Sequence, residues 1–70
     1  MKLQLKPDIG KMYAEYLLHW MMENAPDGRP IEDFEMQDGS GLPDFEFRVG
    51  IDWLVKHQLL DHQNQEFWVH

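Results

Sequence analysis

From Ile9 to Glu23 apolar residues recur at Ile9, Met12, Tyr13, Tyr16, Leu17, Trp20 and Met21, and Leu18 and Met22 widen the stripe. This spacing of three and four predicts one amphipathic helix. The stripe is broader than a surface helix needs, so the helix is expected to be central or to form part of an interface. Pro7-Asp8 marks its start, with Asp8 as N-cap and its charge suited to the positive helix end. Gly10 weakens the first turn slightly, and Asn24-Ala25-Pro26-Asp27-Gly28 ends the helix. Ahead of it, KLQLK alternates polar and apolar positions, with Leu3 and Leu5 on one side, which predicts a short strand over 2–6.

Residues 29–41 carry three apolar anchors, Ile31, Phe34 and Met36. Pro30 followed by acids favours a short helix over about 31–37, and a strand with Phe34 and Met36 inward competes with it. Asp38-Gly39-Ser40-Gly41 predicts a flexible turn. Leu42-Pro43-Asp44 opens a second long helix, expected to run to about His57. Phe47, Ile51, Leu54 and Val55 form one face of it, and Gly50 admits a close neighbour. Phe45, Val49, Trp53 and Lys56 lie on a second, partly overlapping face. Leu59-Leu60-Asp61-His62, a turn near Gln63-Asn64-Gln65, and Glu66-Phe67-Trp68-Val69-His70 read as a tight hairpin. There is no internal repeat and no low-complexity tract.

The block Ile51-Asp52-Trp53-Leu54-Val55-Lys56-His57-Gln58-Leu59-Leu60 resembles the end of the third helix in winged-helix domains. In that family an apolar helix often ends in a short polar pair before a Leu-Leu or Leu-Ile step, and a β-hairpin wing follows at once. The resemblance covers roughly residues 9–70 and rests on element order and that one apolar step. It implies a single small α+β domain over 1–70, winged-helix-like, with two main helices, a short middle element and a C-terminal hairpin. It also implies a helix presented to the DNA major groove, with side chains drawn from Pro43 to Lys56, and a wing on the DNA backbone.

Charge opposes that use. Thirteen acids face six bases, for a net charge of −7, which repels nucleic acid and anionic membranes at long range. Between Asp27 and Glu46 seven acids stand against Arg29 alone. The exposed positions of the groove-reading helix would be Asp44, Glu46, Arg48, Asp52 and Lys56, and the wing offers Asp61 and Glu66 with no Lys or Arg. Phosphate contacts, which dominate affinity for DNA, therefore lack donors. A DNA-binding transcriptional regulator remains the alternative function, and it needs Arg48, Lys56, Lys11, Lys2 and Lys6 to gather on one face.

Enzymatic chemistry finds no support. Glu32, Asp33 and Glu35 could pair as acid and base, but nothing supplies a nucleophile, an oxyanion site or a phosphate-binding loop. His57 and His62 lack the spacing of a metal motif and read as surface residues, and His19 reads as a partly exposed helix residue. No cofactor and no metal is expected. The absence of cysteine and of any long apolar run is consistent with a soluble, cytoplasmic protein. Three Trp, four Phe and two Tyr are more than a 70-residue core easily hides.

The expected function is thus a non-enzymatic protein-protein interaction module, a small acidic regulator or inhibitor. In size and charge alone it resembles small acidic inhibitors of phages and mobile elements. The expected contact surface centres on Phe45, Val49 and Trp53, with Glu32, Asp33, Glu35 and Asp38 supplying charge complementarity. Its partner would be another protein, such as a basic nucleic-acid-binding protein, or a second copy of the chain.

Overall fold

The computed structural model describes residues 8–70, so the strand expected over 2–6, with Lys2 and Lys6, lies outside the described residues. Three helices and one three-stranded antiparallel sheet form a small α+β domain. The order is α1 (Ile9–Asn24), β1 (Ile31–Glu32), α2 (Asp33–Ser40), α3 (Asp44–Lys56), β2 (Leu60–Gln63) and β3 (Glu66–Val69).

Asp8 caps α1, its Oδ1 accepting the Lys11 N–H at 3.1 Å. The buried line of α1 is Ala14, Leu17 and Met21, whereas Ile9, Met12, Tyr16 and Met22 lie exposed. The centre of the expected stripe is therefore turned partly away from the core. The physical reason is a close crossing with α3 at Gly50. A Cβ on Gly50 would stand 2.8 Å from Leu17 Cδ1 and 3.0 Å from Tyr13 Cβ. The tightest approach selects the smallest residues; the close neighbour expected at Gly50 is Leu17 and Tyr13 of α1, whereas a hydrophobic pattern does not mark Ala14 as the centre of a contact.

The middle segment is mostly helix, and the competing strand with Phe34 and Met36 inward does not form; a strand occurs only at Ile31–Glu32. Ile31 pairs with Phe67 and Glu32 with Glu66, giving a two-residue strand, and the helix begins at Asp33. Within that helix Met36 is fully buried and Phe34 is 66% exposed, so the two cannot both point inward as a strand would have them. The turn expected at 38–41 is instead mostly helix. Asp38, Gly39 and Ser40 form the last turn of α2, and the Trp20 ring occupies the space a side chain at Gly39 would need. Gly41, at φ 75°, ends the helix with its N–H on the Gln37 carbonyl at 3.1 Å.

The polar pair before the Leu-Leu step is a helix stop with defined hydrogen bonds. After the cap residue His57, Gln58 takes φ 60° and donates to the Val55 carbonyl at 3.0 Å, and Leu59 donates to Leu54 at 2.9 Å. These are the two reversed bonds of a Schellman motif. The chain then enters β2, and Asn64 and Gln65, both at positive φ, form the two-residue turn into β3. The sheet order is β1-β3-β2. Ile31 and Leu60 of its inner face join Ala14, Leu17, Met21, Ala25, Met36, Phe47 and Leu54 in one core. The hairpin tip is tied to α2 by the Asp33 N–H donating to the Gln65 carbonyl at 2.9 Å.

Candidate functional site

Helix α3 packs through Phe47, Gly50 and Leu54 and turns Asp44, Arg48, Asp52 and Lys56 outward. These four are one helical turn apart and alternate in sign, as the i, i+4 geometry favours. Arg48 Nε lies 3.3 Å from both carboxylate oxygens of Asp44, an exposed i, i+4 ion pair. Glu46 is half-buried.

The expected aromatic flank splits into two kinds of residue. Phe45 is 71% exposed and Val49 half-buried. Trp53 is half-buried for a structural purpose. Its indole lies over Gly10, where a Cβ would come within 3.0 Å of Trp53 Cδ1, and its Nε1–H donates to Asp8 Oδ2 at 3.3 Å. The His57 ring stacks on it at 3.7 Å between centroids, with Nδ1 donating to the Trp53 carbonyl at 2.8 Å. Trp53 thus joins the end of α3 to the start of α1, and Gly10 is the space that permits it. The Lys11 N–H is the main reason the Asp8 carboxyl is held below its ordinary 3.8; partial loss of water opposes this, while the Trp53 indole and nearby His57 add to it.

Two concave surfaces flank α3. A cleft of about 470 Å³ lies between α3 and the hairpin. Phe47, Ile51 and Val55 of α3 and Phe67 of β3 supply its apolar lining, and Asp33, Arg48, Asp52 and His62 its polar lining. On the other side a depression is lined by Asp8, Gly10, Val49, Asp52, Trp53, Lys56 and His57. A third concavity, away from both, has Phe34 and Asp38 beside Gly41 and Leu42.

The acids expected to serve the aromatic flank are dispersed. Asp33 lines the α3–hairpin cleft and Asp38 the concavity beside Phe34. Glu35 sits 3.8 Å from Arg29, and Glu32 opposes Glu66 across the sheet. Phe45, Val49 and Trp53 share a flank of α3, but these four acids do not gather around it. Of the bases in the alternative reading, Arg48 lines the cleft, Lys56 lines the opposite depression, and Lys11 is exposed on α1.

Sequence reasoning missed Phe34 as an exposed aromatic and missed the cleft. The register that places His62 beside Phe67 was the available signal for the cleft. Their rings lie 6.0 Å apart. His70 bonds Asp61 at 2.8 Å and His19 approaches Glu23 at 3.7 Å. Among the described residues no three His, Asp or Glu side chains converge as a metal site, and no helix is long and apolar enough to cross a membrane. Comparison with protein-family models, with curated proteins and with solved structures gives no match.

Proposed function

We propose that this protein is a non-enzymatic interaction module, a small acidic regulator that docks on a protein partner through the outward flank of α3. The observation that carries the reading is the composition of that surface. Phe45 stands 71% exposed beside Val49, while Arg48 is held by Asp44. An exposed aromatic on a rigid helix suits a binding hot spot, and a net charge of −7 suits a basic partner. That partner could itself bind nucleic acid. The cysteine-free chain suits a reducing cytoplasm.

The test is capture from nuclease-treated lysate of the source cells on immobilised protein, with Phe45→Ala as comparison. A stoichiometric protein held by the wild type should bind Phe45→Ala more weakly by about 2 kcal/mol or more, with the thermal midpoint of the variant unchanged. Equal capture by both proteins removes Phe45 from the account, and recovery of nothing after nuclease removes the reading itself.

One observation favours a second reading. The hairpin follows α3 directly, the element order on which the expected resemblance to winged-helix domains rests, and that resemblance implies a DNA-binding regulator. That reading needs Arg48, Lys56 and Lys11 as phosphate donors and a steep loss of affinity with salt.

A further inference from the structure

We infer that the cleft between α3 and the hairpin receives an arginine or lysine side chain from a basic segment of a partner protein. The inference rests on the interaction-module reading and gives that module a second contact, separate from Phe45.

The lining defines the guest. Ile51 and Val55 on α3 and Phe67 on β3 are only partly buried, so they leave apolar surface facing the cleft. Asp33 and Asp52 line the same space from two different elements, Asp52 standing at the crest of α3 between the two concave surfaces. An aliphatic stem ending in a cation satisfies both halves, with methylenes on the apolar surface and charge at the carboxylates. A wholly apolar guest would strip water from two carboxylates without replacing its hydrogen bonds, and an anionic guest would be repelled.

The one arginine in the lining does not reverse this. Arg48 Nε is bound to both oxygens of Asp44, so that pair is neutral and Asp33 and Asp52 remain in excess.

Arg48 separates this proposal from nucleic-acid binding by sign. Removing it deletes a charge that repels a basic guest and frees Asp44, so Arg48→Ala should strengthen binding of a basic peptide. If α3 bound DNA, the same substitution would weaken binding.

The experiment is a titration of the ¹⁵N-labelled protein with a capped peptide of alternating leucine and arginine, followed by amide shifts. A control peptide carries glutamate in place of arginine. The expected result is movement confined to residues around Asp33, Ile51, Asp52, Val55, His62 and Phe67, and none with the glutamate peptide. Asp33→Asn with Asp52→Asn should weaken binding by about tenfold or more. Glu15→Gln with Glu23→Gln, which removes the same charge on α1, should leave it within about twofold. Equal weakening by the two charge-matched pairs, shifts centred on another surface, or no binding would overturn the proposal. Lysate capture that still depends on Phe45 would then show the module intact and only the cleft wrongly assigned. Loss of lysate capture would instead count against the module.

Discussion

Gln58 and Gln65 adopt positive φ, at 60° and 64°, where a side chain is disfavoured and glycine is not. Gln58 ends α3 and Gln65 completes the hairpin turn after Asn64, a position at which Asn-Gly is the preferred pair. Gln58→Gly and Gln65→Gly should each stabilise the fold by about 0.5–1 kcal/mol, seen as a rise of several degrees in the calorimetric midpoint; a fall would contradict the assigned backbone. Asp8 provides a pH-dependent test. Its carboxyl titrates below 3.8 in the folded chain, so ionised Asp8 favours folding. That contribution is fully present above 3.8 and is lost as pH falls through the lower folded value. Asp8→Asn should therefore lower the midpoint at neutral pH, with the gap to wild type narrowing in acid. A gap independent of pH would show that the carboxylate charge is not what matters.

The elements differ in how legible they were, for identifiable reasons. Helices α1 and α3 and the hairpin follow from periodicity, from capping residues at Asp8 and from the strand formers after Glu66. The rotation of α1 does not, because Ala14 sets the contact by being small, although Gly50 was legible as a point of close approach. The extent of α2 was obscured for a similar reason. Gly39 breaks a propensity pattern, yet Trp20, distant in sequence, fills the space above it. Ile31 could be seen as core but not as strand, since its pairing with Phe67 is a long-range contact. Of the site, the exposure of Phe45 was legible, and the structural duty of Trp53 was not, because it depends on Gly10 and Asp8 across the helix pair. A direct test of the α1 rotation compares two large apolar residues of one predicted stripe. Leu17→Ala should cost about 2–5 kcal/mol, whereas Met12→Ala at an exposed position should stay within about 0.5 kcal/mol, both from urea unfolding. Similar costs for the two would place Met12 in the core and refute the observed packing.

At the scale of the whole molecule the arrangement of elements and the charge point in different directions. A helix followed at once by a hairpin is the element order behind the proposed winged-helix resemblance, but a net charge of −7 repels phosphates at long range. Locally the conflict is the same. Arg48 faces the Asp44 carboxylate at 3.3 Å, Lys56 shares its depression with Asp8 and Asp52, and the hairpin turns Asp61 and Glu66 to its outer face. On the proposed reading this side of the domain meets a protein partner. Its most direct test is a titration of wild-type protein and Arg48→Ala with duplex DNA, from low salt upward. The account predicts no complex with either protein even at the lowest salt. A complex that forms at low salt, weakens steeply as salt rises and loses affinity in Arg48→Ala would contradict it and make α3 a groove-reading helix.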